Sequence, residues 1–236
     1  MNLNSVNTRL RWFRTICNYG YENNYLGKIT IKKIKVDREI KETYTEEQIR
    51  ILITKPNLKE CSFAEYRNWA IINYLVSTGN RLSTVTNLKI KDLDLDNQLI
   101  TLRHTKNRTQ QIIPLASSMC KILIEYLTYR GGNPDSYLFP STNDSKLTTS
   151  AIISAIKYYN TSRGISIHSI HAFRRYFAKQ CVLNGVDTFT LQRLGGWKDL
   201  EIVKNYVNIY ATDIKNYDYI NPLEVLNNKT SKTIKL

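Results

Sequence analysis

Hydrophobic residues recur at helical spacing along most of this chain, and they alternate with polar residues in one short region. Between residues 5 and 24 an apolar stripe predicts one amphipathic helix, although Gly20 weakens the prediction for its last turn. Residues 28–41 alternate charged and β-branched side chains without a helical period, which indicates an extended, exposed segment. Three further helices are predicted, of which one begins at Thr45, the second ends near Gly79 and a short third follows Arg81. Later helices are predicted over residues 119–127, 148–162, 168–184, 187–194 and 199–211.

The alternating region predicts a β-hairpin. Residues 98–103 and 109–114 alternate as strands do, and the polar run 104–108 joins them. At Thr45 the hydroxyl can cap a helix while the Gln48 side chain reaches back, which is the pattern of a capping box. The fold class expected from these elements is mainly α, with a small antiparallel hairpin or sheet packed at one side.

Composition and charge indicate a globular protein with an anionic partner. The 236 residues suffice for one sizeable core with a small appendage, and the net charge of +14 favours nucleic acid as the partner. An AT-rich genome would also enrich lysine, so charge alone leaves the partner open. The four cysteines lack the paired spacing of a disulfide framework or metal knuckle, and no signal peptide or membrane-spanning run is evident. A reducing, cytoplasmic location without a membrane partner is therefore expected.

Two arginines and a histidine suggest a site for a phosphodiester. His171 and Arg174 are three residues apart in a predicted helix, about 60° apart around its axis, so they share one face. With Arg81, far upstream, they offer two planar guanidinium groups that can neutralise charge on the non-bridging oxygens in the transition state. A single arginine in a basic protein is most often a solvated surface charge. The pair therefore gains its meaning from the motifs around it.

A nucleophile and a proton donor would complete this chemistry. A tyrosine can form a phosphotyrosine ester that conserves the bond energy, and Tyr206, Tyr210 and Tyr217 are all candidates. The leaving oxygen needs a proton, which Lys106 in the predicted hairpin can supply. Arg103 and Arg108 are its rivals in that hairpin.

In their order and spacing, these motifs resemble those of the tyrosine recombinase, or phage integrase, family. The matching elements are Thr78–Ser83 for Thr-Gly-x-Arg-x-Ser, Lys106 ahead of Ile113-Pro114-Leu115, His171 and Arg174 for His-x-x-Arg, and Leu194–Trp197 for Leu-Gly-Gly-Trp. Tyr206 follows Trp197 by nine residues, as the family's nucleophile does. The resemblance covers residues 45–211, and five elements in the right order make it specific.

The resemblance implies site-specific DNA recombination through a 3′-phosphotyrosyl intermediate, for integration or excision of a mobile element. In this chemistry Tyr206 attacks the scissile phosphate, Lys106 protonates the leaving oxygen and His171 assists proton transfer. Trp197 donates its indole N–H to the phosphate in place of the commoner histidine. The implied catalytic set is Arg81, Lys106, His171, Arg174, Trp197 and Tyr206, and no metal or other cofactor is required.

The resemblance also divides the chain. Residues 1–27 resemble the last helix of a truncated core-binding domain, 28–43 form a basic linker, 44–221 form the catalytic domain and 222–236 form a tail. The expected partners are double-stranded DNA and further copies of the chain, in a homotetramer on two DNA sites that docks through residues 212–236. The candidate DNA-binding side chains are Lys28, Lys32, Lys33, Lys35, Arg38, Lys41, Arg103 and Arg108.

Three alternatives remain open at this point. A type IB topoisomerase uses the same ester but reseals the same strand, and a catalytically impaired remnant of an integrase would bind DNA without cleaving it. A metal-dependent nuclease needs a carboxylate cluster, and the sequence does not indicate one. His168 and His171 could suggest a metal pair, but no further ligand lies at a matching spacing.

Overall fold

The computed structural model describes residues 3–36, 42–103, 110–197 and 199–210, and it divides the chain into two compact units, 1–42 and 43–236. The elements, in chain order, are α1 (Leu3–Glu22), α2 (Glu46–Ile53), α3 (Phe63–Thr78), α4 (Leu82–Val85), a 3₁₀ helix (Ile90–Asp92), β1 (Leu93–Asp94), β2 (Leu99–Leu102), β3 (Gln111–Pro114), α5 (Ser117–Arg130), α6 (Thr149–Thr161), α7 (Ile170–Leu183), α8 (Thr188–Gly195) and α9 (Leu200–Tyr210). The predicted fold class, mainly α with a small antiparallel sheet, is confirmed.

In the first unit, α1 lies alongside the extended residues 28–36. The Asn7 side chain bonds both ways to the Ile34 backbone, donating from Nδ2 to the carbonyl and accepting from the N–H, each over 2.9 Å. The Arg14 guanidinium donates to the Ile31 carbonyl. The extended segment is therefore bound to α1 by its backbone, and its lysine side chains project outward.

The apolar stripe predicted on α1 is only partly buried. Cys17 is buried and Leu10 is half-buried, whereas Phe13, Ile16 and Tyr21 are exposed. Asn7 and Arg14, which bond the extended segment, lie about 20° apart around the helix axis, whereas Phe13 and Ile16 lie at least about 100° from both, so the segment leaves these two side chains uncovered.

In the second unit, α3 is the central helix. Its first turn is capped by the Ser62 hydroxyl, and it ends at Gly79, which adopts the left-handed conformation at φ +60°. Every residue from 66 to 75 is buried, because α3 packs against α2, α5, α6 and α7 on different sides. This predicted helix end is confirmed, and it brings the chain to Arg81 at the edge of the core.

The sheet has three antiparallel strands in the order β1-β2-β3. Ile100 pairs with Ile113 and Leu102 pairs with Gln111, so the predicted hairpin is confirmed with slightly shorter strands. The two-residue strand β1 is an addition that the sequence pattern did not predict. Residues 104–109, between β2 and β3, lie outside the described part of the chain.

Tyr44, near the start of this unit, packs against α7. Its ring stacks on Phe173 at 4.4 Å between centroids, its hydroxyl donates to the Ile167 carbonyl over 3.2 Å, and Asn160 Nδ2 donates to that hydroxyl over 2.9 Å. Burial raises the pKa of Tyr44 to about 12. The capping box predicted at Thr45 follows directly and is confirmed. This anchor holds the first turns of α7, the helix that carries His171 and Arg174.

Beyond α3, the C-terminal half of α7 packs with α8 and α9 around a second apolar cluster. Its buried members are Ala178, Val182, Leu183, Leu191, Trp197 and Val203. The cluster joins the turn after α8 to α9, so it fixes Trp197 beside Tyr206. No helix in the described ranges is both long and apolar enough to cross a membrane.

Candidate active site

Arg174 is a buried cation on α7, with 6% of its surface exposed. Its Nη1 donates to the Gly79 carbonyl over 2.6 Å, and its Cζ lies 3.8 Å from the centre of the Trp197 ring system. Its Nη2 is buried and finds no hydrogen-bond partner among the described residues. Because an unpaired buried donor is costly, this nitrogen marks a place where an anion fits.

Close approach of the chain at Gly79 makes the first of these contacts possible. A Cβ on Gly79 would lie 2.4 Å from Phe177 Cδ1, so only glycine lets the end of α3 come this near to α7. The left-handed conformation of Gly79 turns the chain away from the helix and leaves its carbonyl pointing at Arg174. The backbone conformation at Gly79 therefore supplies one of the contacts that orient Arg174.

Arg81 supplies the second guanidinium. It is half-buried, and its Nη1 donates to the Gly196 carbonyl over 2.8 Å. Burial lowers the pKa of Arg81, and burial together with the charge of Arg81 lowers that of Arg174. No carboxylate in the described ranges pairs with either arginine, although each is held by a backbone carbonyl. Two uncompensated cations at one site favour an anionic ligand.

The turn after α8 brings Trp197 to the arginines. Gly196 caps the helix in the left-handed conformation at φ +61°, and the backbone N–H of Trp197 donates to the Gln192 carbonyl over 3.1 Å. Trp197 is 5% exposed and covers the Arg174 guanidinium. A buried aromatic face of this kind holds a guanidinium in one orientation.

Tyr206 lies on α9 at the edge of the same group. Its ring is 5.8 Å from that of Trp197 between centroids, with 60° between the planes, and the residue is half-buried. Burial raises the pKa of Tyr206, while the charges of Arg174 and then Arg175 lower it. The phenol is consequently protonated at neutral pH, and its use as a nucleophile requires removal of that proton.

The structure thus brings together four of the six predicted catalytic residues: Arg81, Arg174, Trp197 and Tyr206. His171 is exposed on α7, one turn before Arg174. Lys106 lies outside the described residues. Arg175 was not singled out from the sequence, although it directly follows Arg174 and its charge acts on Tyr206.

The predicted DNA-binding residues fall into three groups. Lys28, Lys32, Lys33 and Lys35 are exposed in the first unit, and Arg38, Lys41 and Arg108 lie outside the described residues. Arg103 is exposed at the end of β2, and its Nε donates to the buried Asp92 carboxylate over 2.6 Å. Asp92 also accepts from the Lys89 N–H over 2.9 Å, so it joins the 3₁₀ helix to β2. Arg103 therefore has a structural partner, and its contact with DNA stays a prediction.

Within the described ranges, no group of three or more His, Cys, Asp or Glu side chains is arranged to hold a metal ion. His168 bonds to the Thr161 hydroxyl over 3.1 Å. Among the described residues, the groups that the structure brings together are two guanidinium groups, an indole and a phenol.

Residues 42–212 match the model of the phage integrase family, and the chain belongs to that family. The resemblance inferred from the motifs is confirmed.

The chain is similar to several named recombinases. It is 28% identical over 195 residues to a tyrosine recombinase of Pseudothermotoga lettingae, covering 82% of this chain and 64% of that protein. It is 29% identical over 163 residues to the tyrosine recombinase XerA of Saccharolobus solfataricus, covering 69% and 52%. The chain therefore spans less than two thirds of the length of these relatives.

Solved structures show the same fold. A XerA recombinase superposes with a TM-score of 0.61 at 21% identity, covering 96% of this chain and 76% of the other. The Tn1549 transposon integrase, in a complex with transposon right-end DNA, superposes with a TM-score of 0.73 at 18% identity, covering 87% and 75%.

Proposed function

We propose that this chain is a site-specific recombinase that breaks and rejoins DNA through a tyrosine ester. The observation that carries the proposal is the Arg174 guanidinium, which is buried, held by the Gly79 carbonyl and the Trp197 ring, and left with one unpaired nitrogen. Tyr206 lies beside the same indole. An anion at this place would meet both arginines and come within reach of a nucleophile.

In the proposed reaction Tyr206 Oη attacks the scissile phosphorus and the bond to the 5′-oxygen breaks. The phenol loses its proton with the help of His171, and Lys106 gives a proton to the leaving 5′-oxygen, both roles resting on the family motifs. The products are a 3′-phosphotyrosyl ester and a free 5′-hydroxyl. A 5′-hydroxyl from a partner duplex then attacks the ester, restores the phosphodiester and releases Tyr206, so no external energy source is needed.

The two arginines act on the charge of the phosphate. Arg174 Nη2 and the donors of Arg81 that the Gly196 carbonyl does not occupy can bind the non-bridging oxygens, where negative charge grows in the pentacoordinate transition state. The donors are already oriented by backbone carbonyls, so little reorganisation accompanies the reaction. We assign the Trp197 indole N–H to the same phosphate, as the family motif implies.

The mobile-element role and the assembly are also proposals. A structural neighbour is an integrase bound to the end of a transposon, which supports integration or excision of such an element as the task of this chain. Strand exchange requires two duplexes and hence several subunits. We propose a homotetramer that docks through residues 212–236, a segment outside the described part of the chain.

A covalent-trap assay tests the proposed function. Nicked suicide duplexes from the ends of the element that carries the gene are incubated with the protein in EDTA and quenched with detergent. A detergent-stable adduct on the 3′ side supports the proposal. Relaxation of supercoiled plasmid without sequence preference would instead favour topoisomerase activity, and salt-sensitive binding without an adduct would favour a DNA-binding remnant.

Exposed lysines of the first unit are expected to contribute affinity without chemistry. Replacing Lys32, Lys33 and Lys35 by alanine should lower the slope of log Kd against log salt by up to about 2.7, since each phosphate contact contributes about 0.9. The rate of adduct formation at saturating DNA should be unchanged. Fluorescence anisotropy over a salt series measures the slope, and Lys121→Ala, on the exposed face of α5, is the charge-matched control for one lysine. An unchanged slope in the triple variant would remove these lysines from the interface.

Adding one methyl group at Gly195 is expected to disturb the indole. Gly195 has a helical backbone that accepts alanine, but its Cβ would lie 1.7 Å from Trp197 Cζ3, so the ring must leave its place over Arg174. We expect Gly195→Ala to slow adduct formation by on the order of tenfold to a hundredfold and to destabilise the fold by about 1–3 kcal/mol. Single-turnover cleavage and urea unfolding measure the two effects.

The control for that substitution is Gly27→Ala, since its Cβ would meet nothing within 4 Å. It should match the wild type in both measurements. A wild-type cleavage rate in Gly195→Ala would show that the stacked indole has no part in the chemistry.

A further inference from the structure

The side chain of Gln111 connects the sheet to the turn that follows α8. Gln111 is the first residue of β3, and its Nε2 donates to the Arg193 carbonyl in the last turn of α8. The same carbonyl accepts from the Gly196 N–H over 3.2 Å. Carbonyls in the last turn of a helix have no partner within the helix, so Gln111 supplies a cap from an element 82 residues away in the chain.

The Gln111 amide also lies directly against Gly196. Its Oε1 is 3.0 Å from the position that a Cβ on Gly196 would occupy, and Arg81 Nη1 is 4.0 Å from the same position. Gly196 is the residue whose carbonyl accepts from Arg81 Nη1 over 2.8 Å. One amide therefore touches both the helix end and the residue that orients a catalytic guanidinium.

Strand β3 fixes the backbone from which the Gln111 side chain extends. The backbone of Gln111 pairs with Leu102 on β2, and two residues further along β3 Ile113 is buried in the main core. The sheet thus sets the backbone position of Gln111. The position of the Arg193–Gly196 turn is set by α8, which packs against α7 and α9. The Gln111 side-chain amide forms a hydrogen bond between the two.

We propose that Gln111 is a positioning residue for Arg81. By holding the Arg193–Gly196 turn against the sheet, it fixes the Gly196 carbonyl and, through it, the direction in which the Arg81 guanidinium faces the scissile phosphate. The proposal rests on the proposed function. It adds a residue that the family motifs named above do not contain and that acts on the reaction through Arg81.

The test compares Gln111→Leu and Gln111→Glu with Gln110→Leu. The first two variants remove the amide donor with little change in size, and Gln110 is the exposed neighbouring glutamine. We expect single-turnover adduct formation to slow by on the order of tenfold in both Gln111 variants, with an unchanged Kd for DNA, and Gln110→Leu to match the wild type. Using two Gln111 variants separates loss of the donor from a folding defect in one of them.

A double-mutant cycle locates the effect. In an Arg81→Ala background, Gln111→Leu should slow the residual reaction by less than about twofold, because the group it positions is absent. Slowing by the same factor in both backgrounds would overturn the proposal, since Gln111 would then act through another group. A wild-type rate in both Gln111 variants would also overturn it.

Hydrogen exchange gives a readout that does not depend on activity. In Gln111→Leu the amides of Gly196 and Trp197, which donate to Arg193 and Gln192 carbonyls, should exchange about fivefold faster or more, while amides of α3 remain protected. Unchanged exchange at these two amides would contradict the proposed contact. If the wild type formed no adduct at all, the proposed function would fail, and the exchange result would still decide whether Gln111 holds the turn.

Discussion

Replacing Tyr206 by phenylalanine is expected to abolish the covalent protein–DNA adduct, lowering its rate of formation by at least about 10³-fold. The substitution removes only the hydroxyl, and the ring can keep its contact with Trp197, so the fold and the affinity for DNA should be retained. Denaturing gel electrophoresis of the quenched reaction measures the adduct. Binding at equal protein concentration shows whether DNA affinity survives.

Tyr210→Phe is the matched control, because Tyr210 lies one helical turn further along α9 and is the nearest rival in the sequence. It should form the adduct at close to the wild-type rate. The reverse pattern, with the adduct lost in Tyr210→Phe and kept in Tyr206→Phe, would transfer the nucleophile to the rival tyrosine.

Replacing Arg174 by leucine is expected to lower the rate of adduct formation by at least 10²-fold to 10³-fold, the order of magnitude lost when a transition-state donor is removed. The substitution also removes a buried cation that has no carboxylate partner among the described residues, and it puts an apolar side chain at this buried position. We therefore expect its melting temperature to equal or exceed that of the wild type in the absence of DNA. Thermal unfolding and single-turnover cleavage test the two statements together.

Two further variants sharpen this experiment. Arg174→Lys keeps the charge but not the planar group that bonds the Gly79 carbonyl and stacks on Trp197, so it should remain strongly impaired. Arg50→Ala removes an exposed arginine paired with Glu46 on α2, and it should cleave normally. A near-normal rate in Arg174→Leu, or a large loss of stability, would contradict the interpretation of Arg174 as a buried cation that binds an anion.

The helices could be predicted because their signals are local. The Thr45 capping box and the end of α3 at Gly79 depend on residues a few positions apart, and both are found where the pattern placed them. Strand β1 was missed because two residues, Leu93 and Asp94, are too few to establish an alternation. On α1 the period identified an apolar stripe, but it could not show that Phe13 and Ile16 stay exposed, since burial depends on what packs against the helix.

Motif order singled out the four side chains that the structure brings together, whereas the groups that hold them could not be predicted. Arg174 is oriented by a carbonyl 95 residues away and Arg81 by one 115 residues away. Any residue carries a backbone carbonyl, so the sequence offers no signal for such a contact. The sequence likewise gives no signal for the bond between the Asp92 carboxylate and Arg103, which joins a 3₁₀ helix to a strand, or for the bond from Gln111 to the Arg193 carbonyl. These contacts depend on the tertiary fold.

The most direct test of the central claim is identification of the amino acid that becomes linked to DNA. The trapped adduct is digested with nuclease and protease, and the modified peptide is sequenced by mass spectrometry. We expect a nucleotide attached through a 3′-phosphate to Tyr206, and no modified peptide from the Tyr206→Phe protein. A nucleotide attached to any other residue, or through a 5′-phosphate, would contradict the proposed reaction.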